Sequence, residues 1–121
     1  MTESVELGSL TRTDAENLAS RRAIVVVPVG STEQHGEHLP LDTDTFLVTA
    51  VAREAALRAS RSVPVVVAPV VATGCSMHHM KFAGTLSLSF PTFMAVIRET
   101  VERLARHGFS AFLPLNGHGG T

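Results

Sequence analysis

The chain has 121 residues, enough for one domain with a modest core, and its 45% hydrophobic and 17% charged residues make it globular rather than disordered in composition. Ten Lys and Arg stand against eleven Asp and Glu, and all six aromatic residues are Phe, so no basic stripe with stacking rings is available for a nucleic acid. One cysteine, Cys75, excludes an internal disulfide framework, and the longest apolar run, Val63 to Ala72, is too short and too interrupted by Pro64 and Pro69 to cross a bilayer. With no signal-peptide pattern at the start, a cytoplasmic setting is expected.

The first element is a short helix beginning at Thr11 or Thr13 and ending near Arg22. Glu16 three residues after Thr13 fits a capping box. Ala23 to Val29 is Val- and Ile-rich without alternation, as in a strand buried on both faces of a parallel sheet. Asp42 to Ala59 predicts a second helix, with Leu47, Val51 and Ala55 on its apolar face, widened by Phe46, Ala50 and Leu57, and with Asp42 or Thr43 as its cap. Val63 to Val71 is a second buried strand, placed near an edge or interrupted because Pro64 and Pro69 cannot donate to a ladder. Thr73 to Gly84 is a long loop, and loops of that length in compact domains are often functional. Thr85 to Ser89 alternates Leu with hydroxyl residues, which predicts a short half-buried strand. Pro91 to His107 is a helix with the stripe Phe93, Ile97, Val101, Leu104 and Ala105, closed by Gly108. Ser110 to Leu115 predicts a third buried strand.

Helices alternating with buried strands predict a three-layer α/β/α fold with a mainly parallel sheet. Polar loops then gather at the carboxyl ends of the strands, brought to one edge by right-handed crossovers. Three such loops occur here, over residues 30–44, 73–84 and 116–121. Glu33 and His35 are two apart, so in an extended segment both point to one side. Asp44 returns nine residues after His35, at the mouth of a helix, and His118 arrives on another strand end between glycines. Carboxylate with imidazole suits Zn²⁺, Mn²⁺ or Fe²⁺, and a shared carboxylate can hold two ions. A solvated polar loop is the competing reading of Glu33, His35 and Asp44, and a phosphate-cradling turn that of residues 116–120, though the latter lacks P-loop spacing and its Lys. His78 and His79 fit a substrate-side or structural pair better than primary ligands, His38, Glu37 and Asp42 fit supporting or capping roles, and His107 fits a helix C-terminal cation.

Val27 to Thr45, Asn116 to Gly120 and Phe82 to Leu88 together resemble the creatininase (creatinine amidohydrolase) family. The resemblance covers nearly the whole chain in consistent order. It implies a dinuclear metal-dependent amidohydrolase of α/β/α architecture, often a homo-oligomer, in which water between two ions attacks a carbonyl or cyclic amide. By position, Glu33, Asp44 and His118 correspond to ligands of one ion, and His35 and Asp44 to ligands of the second, with Asp44 bridging. Creatininases proper carry a second-metal Glu two residues after the motif His, where this chain has Gly120; relatives with that Gly-Gly form take a Glu from much later. Thr121 stands where an Asn is common.

Residues 1–121 are therefore expected to be the amino-terminal part of a single creatininase-like domain, truncated at about half its length. The implied substrate is a small-molecule amide, such as creatinine, or a short peptide, with neither nucleic acid nor membrane as partner. Formamide deformylases and the peptidase that trims the mycofactocin precursor are relatives, and the Leu-Asp-Thr-Asp-Thr form at 41–45 looks close to the latter. A non-catalytic α/β domain that assembles with a partner is the alternative from a different class.

Overall fold

The computed structural model describes residues 4–119. Its spine is a parallel three-stranded sheet in which β1 (Ile24–Val29) lies between β2 (Val65–Val67) and β3 (Ala111–Asn116). Helix α1 (Arg12–Ser20) precedes β1, α2 (Thr43–Ala59) joins β1 to β2, and α3 (Phe90–Arg106) joins β2 to β3. No helix among the described residues is long and apolar enough to cross a membrane.

The Val-rich run makes this sheet because its side chains are needed on both faces. Val25 and Val27 join Val66, Ala68, Ala19 and Phe109 on one face, where Leu18 of α1 and Leu104 of α3 complete the packing. Val26 joins Val65 and Val67 on the other, beneath Ala52 and Ala56 of α2. The predicted three-layer arrangement follows, with α1 and α3 on one side and α2 on the other. Each buried Val contributes about 1.5–3 kcal/mol relative to an exposed one.

Several predicted details are corrected. The capping box is Thr11 with Asp14, not Thr13 with Glu16: Asp14 N donates to Thr11 Oγ1 at 3.1 Å and Thr11 N to Asp14 Oδ2 at 3.3 Å. Glu16 instead pairs with Arg12 at 3.3 Å on the exposed face. The buried face of α2 is Val48, Ala52 and Ala56, whereas Leu47 and Val51 are 55% and 57% exposed. A helix pressed close to a sheet leaves room for small side chains only, so the bulky ones lie outside. Asp42 occupies the cap position of α2 without a side-chain cap hydrogen bond. The Thr85–Ser89 strand is absent: Leu86 N donates to Thr32 O and Leu88 N to Gly74 O, across two different neighbours instead of one ladder. β3 is not a buried strand. Among the described residues β1 is its one strand neighbour, and Leu113 is 55% exposed.

The β1–β2 pairing is both at an edge and interrupted, as the prolines predict. Ile24 pairs with Val65 and Val26 with Val67, an offset of 41, whereas Val29 pairs with Val71, an offset of 42. Pro28 causes the break. Even-numbered residues of β1 turn their backbone groups to β2, since Ile24 N donates to Pro64 O and Val26 O accepts from Ala68 N. Pro28 has no N–H to give, and its carbonyl accepts from Val71 N instead of Val70 N, so one extra residue is taken up over 68–70.

Candidate metal centre

All three predicted loops converge at the carboxyl ends of the strands. Glycines at two strand ends let α2 approach. A Cβ on Gly30 would lie 2.5 Å from Thr45 Oγ1 and 2.7 Å from Thr45 Cα, and one on Gly117 would lie 2.6 Å from Val48 Cβ. The first turn of α2 therefore sits directly on the ends of β1 and β3, and Asp44 is carried in with it. Thr45 Oγ1 donates to Ser31 O at 2.9 Å, and the wholly buried Ser31 donates from Oγ to Asp44 Oδ2 at 2.7 Å.

Glu33, His35, Asp44 and His118 come together as predicted. Single ligand atoms of Glu33, His35 and Asp44 lie within 4.8 Å of one another. His118 Nδ1 is 3.1 Å from Glu33 Oε2 and 3.1 Å from Asp44 Oδ2. Its other nitrogen, Nε2, lies 3.1 Å from the Cys75 carbonyl oxygen. A carbonyl only accepts, so Nε2 carries a proton, and Nδ1 is the nitrogen left facing two carboxylate oxygens. His35 repeats the pattern: Nδ1 donates to the Glu33 carbonyl oxygen at 3.1 Å, and Nε2 faces Asp44 Oδ1 at 3.1 Å. Lone pairs set against carboxylates repel unless a proton or a cation lies between them. Ligating histidines usually give their other N–H to a carbonyl or carboxylate, as both do here.

The donor set fits a divalent cation. Ligand atoms about 2.0–2.2 Å from a tetrahedral Zn²⁺ stand about 3.3–3.6 Å apart, close to the separations found. Glu33 is 4% exposed, and its Oε1 is buried with no hydrogen-bond partner, the sign of a carboxylate arranged for something besides protein donors. Asp44 offers Oδ1 to His35 and Oδ2 to His118, so it can serve two ions. Burial alone would raise the Asp44 carboxyl, but the Ser31 hydroxyl and His35 outweigh it and hold it below the usual carboxylate range. His35 is raised, first by its hydrogen bond to the Glu33 carbonyl and then, against some burial, by Asp44.

Other expectations fare differently. Glu37 and His38 are exposed and make no side-chain hydrogen bond or ion pair among the described residues, so neither supports the centre. His107 does cap α3 at the surface. His79 is closer in than predicted, with Nε2 3.9 Å from Glu33 Oε1, and His78 lies parallel to His118 with ring centroids 6.1 Å apart. Gly120 and Thr121, where the chain departs from the creatininase pattern, lie outside the described residues. Sequence reasoning missed Ser31 and the Cys75 carbonyl. Ser31 had one signal, its place directly after the strand-ending Gly30; a backbone carbonyl leaves none.

Fold and donor set together define a layered α/β protein with a carboxylate- and imidazole-lined candidate centre for divalent cations. The sequence model of the family described as creatininase, creatinine amidohydrolase, matches residues 8–121, and the chain belongs to that family. It is 41% identical over 122 residues to a mycofactocin precursor peptide peptidase of Mycobacterium tuberculosis, covering 96% of this chain and 47% of that protein. A crystal structure of creatinine amidohydrolase superposes with a TM-score of 0.88 at 32% identity, covering 97% of this chain and 46% of the other. A structure described as the Mn creatininase gives 0.87 at 33% identity, over 95% and 46%. The chain thus spans about half the length of the relatives it matches.

Proposed function

We propose that Glu33, His35, Asp44 and His118 hold a pair of divalent cations, Zn, Mn or Fe, that serve hydrolysis of a carbon–nitrogen amide bond. The observation carrying this reading is His118 Nδ1, which lies 3.1 Å from both Glu33 Oε2 and Asp44 Oδ2 while its other nitrogen is committed to a backbone carbonyl. The ions, when bound, polarise a carbonyl and lower the pKa of a water to near neutral. This chain's residues supply the rest. Glu33 and His118 would hold one ion and His35 the other, with Asp44 shared between them. Ser31 fixes the rotation of the Asp44 carboxylate. The Cys75 and Glu33 carbonyls each hold one ring N–H of His118 and His35, which directs the other nitrogen of each ring at the carboxylates, where it would meet an ion.

Residues 1–121 are read as the metal-holding, amino-terminal part of a single domain of this family, acting as a homo-oligomer in the cytoplasm. A small amide such as creatinine is the first substrate reading. A short peptide is the second, supported by the 41% identity to the mycofactocin precursor peptidase. Elemental analysis of the purified chain tests the metal reading: bound Zn or Mn is expected, falling in Glu33→Gln and His118→Ala. Equal metal content in all three proteins refutes it. Hydrolysis assays on creatinine, formamides and peptide amides, with and without added metal, test the reaction and its substrate.

A further inference from the structure

His79 faces the same carboxylate as His118, at its other oxygen and through Nε2 where His118 uses Nδ1. The Gly36 backbone N–H donates to Gln34 Oε1 at 2.9 Å, which leaves the Gln34 amide nitrogen against His79 Nδ1, also at 2.9 Å. An amide nitrogen only donates, so Nδ1 accepts and the ring proton sits on Nε2. That N–H stands 3.9 Å from Glu33 Oε1, the buried oxygen with no partner. His79 thus turns a donor toward a carboxylate oxygen that no other described group holds.

Glu33, His78 and His79 also form a compact donor set, one ligand atom from each lying within 4.8 Å of the others. A further cation there would need a bare Nε2. Freeing it reverses the Gln34 amide and strips the Gly36 N–H of its acceptor. This polarity therefore favours a proton over a metal at this position.

We propose, on the reading that Glu33 is a metal ligand, that His79 is a positioning residue whose Nε2–H closes on Glu33 Oε1. Held by that oxygen, the carboxylate keeps Oε2 directed at His118 and the ion. Gln34 sets the polarity by fixing the tautomer. Closure needs about 1 Å of movement to reach ordinary hydrogen-bond distance. It falls on the one-turn helix Met77–His79, whose side chains are exposed or half-buried.

Long-range proton–nitrogen spectra of the metal-free chain should show His79 as the Nε2–H tautomer. Gln34→Glu, which sets an acceptor against Nδ1, should switch it to Nδ1–H. In Zn²⁺ titrations against a chelator, His79→Ala should weaken binding about tenfold or more with the number of ions unchanged, and His79→Gln, which keeps an N–H near the place of Nε2, should restore it to within about threefold. A wild-type Nδ1–H tautomer, an ion lost in His79→Ala, or His79→Ala binding within about twofold of wild type overturns the assignment. A chain that takes up no Zn²⁺ defeats the metal reading instead, and the tautomer spectra then judge His79 by themselves.

Discussion

Gly30→Ala tests how the helix delivers Asp44. The added methyl would stand 2.7 Å from Thr45 Cα and 3.0 Å from Thr45 N, both backbone atoms that cannot swing aside. Restoring ordinary carbon contact requires the start of α2 to retreat by about 1 Å. Overpacking of this kind costs about 1–3 kcal/mol, and the retreat also loosens the hydrogen bond from Thr45 Oγ1 to Ser31 O, worth about 1 kcal/mol. The expected loss of stability is therefore about 2–4 kcal/mol. Asp44, one residue earlier on the same turn, moves with it, so Zn²⁺ affinity should fall at least about tenfold. Urea unfolding of the metal-stripped protein reads the first quantity and chelator competition the second. Gly8→Ala is the control, since a Cβ there meets nothing within 4 Å, and it should change stability by no more than about 0.5 kcal/mol. If Gly30→Ala matches that control in both assays, the close approach of α2 does not position Asp44.

Ser31→Ala removes the 2.7 Å hydrogen bond to Asp44, and a bond to a charged acceptor is worth about 1.5–3 kcal/mol. Denaturation at pH 6 should show that loss, and carboxyl carbon shifts should show Asp44 titrating higher than in the wild type. The pair Asp44–His35 gives the metal-stripped protein a stability window. The Asp44 contribution is full above the ordinary 3.8 and lost as pH falls through its lowered value, while the His35 contribution is full below 6.5 and lost as pH rises through its raised value. Urea midpoints should therefore fall on both sides of that window, and Asp44→Asn should flatten both flanks; parallel pH curves for the two proteins would contradict the assignment. Thr11→Ala breaks the capping box of α1 and should cost about 1 kcal/mol, with unchanged Zn²⁺ affinity, because Thr11 touches none of the centre's residues.

What could be read in advance was whatever depends on periodicity and strand ends. β1 was legible because a run of Val and Ile has few uses besides a sheet buried on both faces. Glu33, His35 and His118 were legible because each follows an apolar run, and Asp44 because it opens the next helix, positions that an α/β topology brings to one edge. The face of α2 was misread because Leu47 and Val51 outweigh Ala52 and Ala56 in hydrophobicity; how closely the helix packs, set by Gly30 and Gly117, decides which set faces inward. Thr85–Ser89 has the alternation of a strand but divides its backbone donors between Thr32 and Gly74. Histidine tautomers were out of reach altogether. His79 differs from His118 only in what touches the far nitrogen, and those partners, Gln34 and the Cys75 carbonyl, are 45 and 43 residues away along the chain.

Pro28 makes the length of the following segment matter as much as its composition. Past the proline, the segment that follows β2 is one residue out of step with the β2 pairing, and side chains and carbonyls downstream are set by that count. Cys75, whose carbonyl holds the His118 tautomer, lies only four residues past the Val71 bridge. Deleting one residue from 68–70 would draw the chain back by about 3.3 Å and exchange the directions of successive residues. The carbonyl now meeting His118 would be replaced by its neighbour's, facing the other way, although no residue of the centre had been changed. Here the spacing itself is inherited information, and an insertion or deletion would be felt more sharply than most substitutions.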